Sequence, residues 1–223
     1  MTTDRPSFEA QSSLLIRQPS VGHQPGVLTD IYNETCNASI WRRDLEDALH
    51  HTVQKFMRDQ PSFKLSMTVA PDTVVSRLNE QFGESNYSAL SDNIGELVDM
   101  FACLFSLSKV GVRLAVLKTA MCPKFHVDKV PCRLITTYHG VATEWLPHHA
   151  VDRSKLGSYN QGRTGDESRV YQSSGDIQQL DCGDVALLKG ESWLDNEGAG
   201  LVHRSPALSQ SNTRLLLTLD FVD

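Results

Sequence analysis

The sequence has little of several features that would assign a class of function at once. Its 223 residues contain 21 Lys and Arg against 27 Asp and Glu, a formal net charge of -6 at pH 7. Nucleic acids and anionic membranes are bound through clustered cations that displace counterions, so we expect no nucleic-acid partner and no membrane partner. The five cysteines are odd in number and form no CxxC pair, which argues against a disulfide framework. This cysteine usage favours a reducing cytoplasm.

Long apolar runs are also missing. Asp4 and Arg17 interrupt the N-terminal stretch, which therefore lacks the apolar core of a signal peptide. The most apolar region, roughly 97–117, contains Asp99 and Lys109 and is a poor candidate for a membrane span. We therefore expect a cytoplasmic location.

The first half of the chain has the periodicity of helices. Apolar residues recur at steps of three and four within 40–57, 72–81 and 88–107, which is the spacing of helices packed on a core. We expect residues 27–109 to form a helical part that supports the rest of the molecule. Residues 1–26 are polar without periodicity and are expected to form a tail.

The second half, residues 110–223, has the pattern of strands. The runs VGVRLAVLKTA, CRLITTY, DVALLKG and RLLLTLDFV are short, rich in Val, Leu, Ile and Thr, and separated by turn residues. A polar stretch, residues 151–175, is too long for an ordinary connection, and we expect either a lid or a disordered insert. The length fits a single compact domain of the α+β class.

Four residues of this half have the spacing of a metal site. His126 and Asp128 form an HxD pair, and in an extended segment residues two apart point to the same side. His203 and Arg214 follow near the end of the chain, and a hairpin through SPALSQSN would let both face one interior. We predict that His126, Asp128 and His203 bind one metal ion.

The pattern resembles the motif of the Fe(II)/2-oxoglutarate-dependent oxygenases, which is HxD, a distant His, and an Arg about ten to fourteen positions further on. The resemblance covers roughly residues 110–222 and implies a double-stranded β-helix, the cupin or jelly-roll-like barrel. It also implies Fe(II) at His126, Asp128 and His203, with Arg214 binding the distal carboxylate of 2-oxoglutarate.

The sequence RLITTY looks like the strand that follows HxD in the prolyl-hydroxylase branch of these oxygenases. By that resemblance, Tyr138 or Thr136 could add a hydroxyl contact to the same carboxylate. Because Asp128 is retained, the resemblance implies hydroxylation or oxidative demethylation rather than halogenation. The oxidised substrate stays open at this point.

The whole chain also resembles an uncharacterised bacterial family that is often encoded beside CobW-type GTPase metallochaperones in zinc-responsive gene clusters. This second resemblance implies zinc as the alternative metal and a CobW-type metallochaperone as a partner. The alternative function is a cupin-like metal-binding or zinc-homeostasis protein without oxygenase activity. The orientation of Arg214 separates the two hypotheses, because only the oxygenase needs this cation beside the metal.

Two further interpretations remain open. A structural zinc site could be built from neighbouring Cys and His residues, since these are zinc ligands. Its candidate ligands are Cys122, His126 and Cys132, with His139, His148 or His149 as a fourth. The helical half could instead form a protein-interaction surface next to a degenerate barrel.

Overall fold

The fold is described from a computed structural model, which covers residues 16–83, 86–156, 170–209 and 212–222. The strands are β1 (Gln18–Gly22), β2 (Cys36–Trp41), β3 (Lys64–Val69), β4 (Val110–Leu117), β5 (Cys132–His139), β6 (Glu144–Leu146), β7 (Gln178–Gln179), β8 (Val185–Lys189), β9 (Val202–Arg204) and β10 (Arg214–Asp220). The helices are α1 (Asp47–Asp59), α2 (Val74–Phe82) and α3 (Ser88–Phe105), preceded by a 3-10 helix at Pro25–Tyr32.

Two sheets form the body of the molecule. The large sheet has the strand order β1-β2-β8-β5-β10-β4-β3, and the small sheet has the order β7-β6-β9. Side chains of both sheets share one apolar cluster, in which Trp145 of β6 packs with Ile135, Leu188 and Leu216 of the large sheet. The two sheets therefore face each other across an interior, as in a jelly roll.

The helices cover the outer face of the large sheet. Each is amphipathic, and α1 for example buries Leu49, Val53 and Phe56. The ring of Phe56 lies about 5 Å from those of Phe82 and Tyr87, in edge-on contacts that add to the apolar burial. Among the helices that the structure describes, none is long and apolar enough to cross a membrane.

The sheet extends into the part of the chain for which a helical structure was expected. Strands β2 and β3 lie within residues 27–109 and pair with β8 and β4. Strand β1 lies within the expected polar tail and pairs in parallel with β2, whereas residues 1–15 of that tail lie outside the described residues. The boundary expected at residue 110 therefore does not separate helices from barrel, because three strands before it complete the large sheet.

The expected hairpin between His203 and Arg214 does not form. Strand β9 pairs with β6 in the small sheet, whereas β10 pairs with β4 and β5 in the large sheet. His203 and Arg214 consequently approach one interior from opposite sheets.

Candidate metal centre

Backbone pairing brings the two histidines together. His126 lies in the loop between β4 and β5, and His203 lies in β9. The amide of each donates to the carbonyl of the other, at 3.0 Å from His126 and 2.9 Å from His203. This isolated antiparallel bridge holds the imidazole centroids 4.6 Å apart. These hydrogen bonds, together with the one that the amide of Ser205 donates to the carbonyl of Cys122 at 2.9 Å, close a separation of 77 residues in sequence.

Asp128 completes a group of three possible ligands. Its Oδ1 lies 3.7 Å from Nε2 of His126, and its Oδ2 lies 3.4 Å from Nε2 of His203. One ligand atom from each of the three side chains lies within 4.8 Å of the others. Among the described residues, this is the single group of His, Cys, Asp and Glu side chains found to have such geometry.

Hydrogen bonds fix the tautomers of both imidazoles. Nδ1 of His126 lies 2.9 Å from the carbonyl oxygen of Lys124, and Nδ1 of His203 lies 3.1 Å from that of Leu201. A carbonyl only accepts, so each Nδ1 carries the proton and donates. Each Nε2 then presents its lone pair towards Asp128, which is the arrangement that orients histidine ligands in metal sites.

The charges of the site suit a cation. Burial alone would raise the pKa of Asp128, but the neighbouring imidazole of His203 and the charge of Arg133 outweigh it and lower that pKa to about 2. Burial, helped by His203, lowers the pKa of His126. At neutral pH the carboxylate is therefore ionised and His126 is neutral, the states in which both bind metal.

Arg133 of β5 holds the carboxylate ligand in place. Its Nη1 donates to Oδ2 of Asp128 at 2.8 Å, and its Nε donates to Oδ1 of Asp220 at 2.7 Å. One guanidinium thus ties the loop of the HxD pair to the last strand, β10. Such a partner behind a ligating carboxylate fixes its orientation.

A cavity of about 280 Å³ lies between the sheets next to these ligands. His126, His203 and Arg214 all line it. Arg214 is 1 % exposed, and its Nε and Nη2 donate to the hydroxyl of Thr137, with Nη2 also donating to Thr143. Burial lowers the pKa of Arg214 to about 10, so it stays a cation at neutral pH. Within the described parts of the chain it makes no ion pair with an acidic side chain.

With the geometry established, comparison with known proteins places the chain in a family. The family described as "Protein of unknown function (DUF1826)" matches residues 22–220, nearly the whole sequence. The chain belongs to the DUF1826 family. No curated protein matches it significantly in sequence.

Solved structures similar to this DUF1826 protein share its fold at low sequence identity. The dioxygenase for auxin oxidation 1 from Arabidopsis thaliana, in a complex with 2-oxoglutarate, aligns at 10% identity and a TM-score of 0.51 over 93% of this chain and 92% of its own. JOX2, in a complex with 2OG, Fe and JA, aligns at 10% identity and a TM-score of 0.51 over 92% of this chain and 75% of its own. The likeness establishes a shared dioxygenase-like fold.

Two residues expected beside the co-substrate face away from the cavity of the DUF1826 protein. The hydroxyl of Tyr138 donates to Asn93 of α3, and the ring belongs to the core under the helices. Thr136 lies on the same helix-facing side of β5, because side chains alternate along a strand. The expectation for both is corrected, and the hydroxyls that contact Arg214 belong to Thr137 and Thr143.

The sequence contained a signal for one of these hydroxyls. Arg133, Ile135 and Thr137 share one face of β5, and the first two also line the cavity. Counting by twos from a charged residue inside an apolar strand would have selected Thr137 rather than Thr136. No sequence pattern marks Thr143, which reaches the site from the turn between β5 and β6.

The structural zinc site expected from cysteines does not assemble among the described residues. Cys132 is fully buried in the helix-facing core, where burial raises the pKa of its thiol, whereas Cys122 lines the metal-site cavity. His139 lines a different cavity, and His148 lies beside Arg153. These side chains therefore do not converge on one point.

The polar stretch 151–175, expected as a lid or an insert, lies mostly outside the described residues, which omit 157–169. Its two flanks are joined where the amide of Asp152 donates to the carbonyl of Val170 at 2.8 Å. Arg153 also donates to the carbonyl of Gly200, close to β9. The stretch therefore leaves and rejoins the barrel near the strand that carries His203.

Proposed function

We propose that the protein is a mononuclear non-haem Fe(II), 2-oxoglutarate-dependent oxygenase of the hydroxylase or demethylase type. The observation that carries this proposal is a buried guanidinium, Arg214, in the cavity that His126 and His203 of the His126, Asp128 and His203 group line. Burying a cation without an acidic partner is costly. An anionic co-substrate would offset that cost.

The three ligands suit Fe(II). Two neutral imidazoles and one carboxylate on one face of an ion leave further positions open, as in the facial triads of iron oxygenases. When bound, Fe(II) would supply the centre at which the 2-oxo acid and O2 meet. His126 and His203 would bind it through Nε2, and Arg133 would keep Asp128 aimed at it.

Arg214 would bind the distal carboxylate of 2-oxoglutarate. Nε and Nη2 donate to the threonines, so Nη1 keeps both of its N–H groups for charge-assisted hydrogen bonds to a carboxylate. Thr137 and Thr143 hold the guanidinium in position before the co-substrate arrives, so little side-chain entropy is lost on binding. Apolar side chains such as Leu117 and Leu216 line the same space and would exclude water from it.

Bound molecules in the similar structures support the proposal. The Arabidopsis dioxygenase is in a complex with 2-oxoglutarate, and JOX2 is in a complex with both 2OG and Fe. Each shares its fold with this chain over more than nine tenths of the chain's length. A barrel of this kind is thus able to hold both groups together.

A cupin-like protein of zinc homeostasis is the second candidate function. Zinc also binds to sets of two histidines and one carboxylate, so the donor set His126, Asp128 and His203 favours this function as well. A CobW-type metallochaperone is the partner predicted for it. Such a protein has no need for Arg214 inside the cavity, which is why the oxygenase is preferred.

Calorimetric titration with 2-oxoglutarate separates the two candidates. The protein is loaded with Mn(II), a redox-inert substitute for Fe(II), and compared with the metal-free protein and with His203→Ala. His139→Ala is the matched control, because this histidine lies outside the metal site. The oxygenase requires binding that depends on the metal and on His203. Tight zinc binding together with no 2-oxoglutarate binding would establish the zinc-handling function instead.

A further inference from the structure

The metal-site cavity extends to the edge strand β3. Lys64 of β3 and Arg113 of β4 line this outer part, whereas Arg133 and Arg204 line the part beside the metal ligands. No Asp or Glu is found among the described residues that line the cavity. The charged side chains of the described lining are thus all cationic.

The charged side chains that line the cavity are cations, and among the described residues they are Lys64, Arg113, Arg133, Arg204 and Arg214. Carboxylates outside the lining contact some of them, namely those of Asp128, Asp220 and Glu144. The whole chain has a net charge of -6, so the cavity is a positive site in a negative molecule. A cleft of one sign concentrates ligands of the other sign.

Arg113 lies too far along the sheet from Arg214 for both to bind the same small dicarboxylate. Along the β10–β4 pair, Arg214 lies opposite Leu117, whereas Arg113 lies opposite Thr218. Four residues of strand correspond to about 13 Å at ~3.3 Å per residue. A five-carbon chain spans only about 5 Å, at ~1.5 Å per bond.

The side chains of these two arginines also reach in different directions. Arg214 donates to Thr137 and Thr143, whereas Arg113 reaches towards Asp220 at the other end of β10. The cavity therefore contains two separate cationic positions, one at Arg214 and one at Arg113.

Arg113 nevertheless lies near the metal ligands. Its Nη1 lies 3.7 Å from Asp220, which binds Arg133, and Arg133 in turn binds Asp128. A chain of contacts thus runs from Arg113 through Asp220 and Arg133 to the metal ligand Asp128. An anionic group bound at Arg113 would lie at the other end of this chain from the metal ligand. The rest of such a molecule could reach the metal.

Lys64 and Arg113 have unused capacity to bind an anion. Within the described chain, Lys64 makes no ion pair and Arg113 makes only the 3.7 Å contact with Asp220. On the paired strands, Lys64 lies opposite Ala115, two residues from Arg113 along β4, so both cations occupy one corner of the cavity. Together they offer a guanidinium fork and an ammonium group.

The wall between these cations and the metal site is apolar. Its side chains come from β4, β5, β10 and the loop after β4, and they are Ala115, Leu117, Met121, Ile135 and Leu216. Met121 is 59% exposed and stands at the mouth of the cavity. An apolar surface bordered by cations matches a ligand with an apolar body and one anionic end.

We propose that the oxidised substrate is a small molecule with an apolar body and a carboxylate, and that Lys64 and Arg113 bind the carboxylate. The apolar body lies along the wall and brings a carbon next to the metal. This inference rests on the proposed oxygenase function for its consequence, although the binding position itself does not require the metal.

Octanoate and phenylacetate serve as probes, each compared with its uncharged amide. Their binding is measured calorimetrically to metal-free protein and to protein loaded with Mn(II) and 2-oxoglutarate. In the loaded protein, enhanced relaxation of probe protons by Mn(II) reports their distance from the metal. We expect the carboxylates to bind at least about tenfold more tightly than the amides, a modest factor because both cations are reached by solvent.

The variant Lys64→Gln/Arg113→Gln should weaken carboxylate binding about tenfold and leave 2-oxoglutarate binding within about twofold. Lys118→Gln/Arg77→Gln is the matched control, because it removes the same charges from outside the cavity. Amides that bind as tightly as the carboxylates, a double variant that binds like the wild type, or failure of both carboxylates to bind would each overturn the inference. Loss of 2-oxoglutarate binding alone would instead count against the oxygenase function, since probe binding is also measured without metal.

Discussion

Replacement of Arg214 tests how strongly the co-substrate depends on one guanidinium. The side chain is 1 % exposed and is held by Thr137 and Thr143, so it is positioned for a ligand in advance. Arg214→Ala removes two charge-assisted hydrogen bonds to the distal carboxylate, about 4 kcal/mol in total at ~2 kcal/mol each. At about 1.4 kcal/mol per tenfold change, the dissociation constant of 2-oxoglutarate should rise about a thousandfold.

The variant Arg214→Lys refines this prediction. It keeps the charge and loses the planar fork, so we expect about half the loss of free energy and a roughly thirtyfold weaker affinity. Calorimetry on the Mn(II)-loaded protein gives both affinities, and metal affinity should stay unchanged because Arg214 is not a ligand. Both variants leave the threonine hydroxyls unpaired, which costs about 1–2 kcal/mol of folding stability. Thermal unfolding must therefore confirm that each variant is folded under the conditions of the assay.

A loss of less than tenfold in folded Arg214→Ala would refute the reasoning. It would mean that the distal carboxylate of 2-oxoglutarate lies elsewhere in the cavity. Arg77→Ala, which removes an exposed arginine of α2, controls for the change in net charge.

Three further substitutions test the metal centre and its surroundings. Asp128→Ala should weaken metal binding at least about a hundredfold, measured by metal competition, while Arg133 keeps its bond to Asp220 and the fold persists. Tyr138→Phe should lower the free energy of unfolding by about 1 kcal/mol, because the hydrogen bond to α3 is lost. Its affinity for 2-oxoglutarate, measured by calorimetry, should stay unchanged. A weaker affinity would place this tyrosine at the co-substrate after all. Gly190→Ala should lower both stability and metal affinity, because the new Cβ would lie 2.7 Å from the backbone oxygen of Asp128. Unchanged metal content in folded Gly190→Ala would contradict that packing argument.

The sequence predicted the elements with long, regular patterns. Helices α2 and α3 lie within a few residues of the expected segments, since apolar spacing sustained over more than two turns leaves little ambiguity. The expected segment 40–57 began too early, because Trp41 ends strand β2 and the helix starts at Asp47. Strands β2 and β3 were missed because six residues contain too few repeats to distinguish a strand from part of a helix.

The sequence predicted the metal ligands and Arg214 better than it predicted the residues around them. His126, Asp128, His203 and Arg214 were selected by chemistry and spacing, and the structure brings the first three within ligand distance and puts Arg214 in their cavity. The sequence led to Thr136 rather than Thr137 as the hydroxyl near the co-substrate. The two differ by one residue along a strand, and such a shift reverses the side to which the side chain points. Thr143 depends on a tertiary contact between a turn and a distant strand, for which no local pattern exists.

Anaerobic titration of the protein with Fe(II), with and without 2-oxoglutarate, tests the central claim most directly. A 2-oxo acid chelated to Fe(II) gives a weak visible charge-transfer band, which requires both groups in the same site. The account predicts a band that saturates at one Fe(II) per chain, is absent in His203→Ala, and is lost in Arg214→Ala at co-substrate concentrations that saturate the wild type. A protein that binds Fe(II) through the three ligands but develops no band at any 2-oxoglutarate concentration would contradict it.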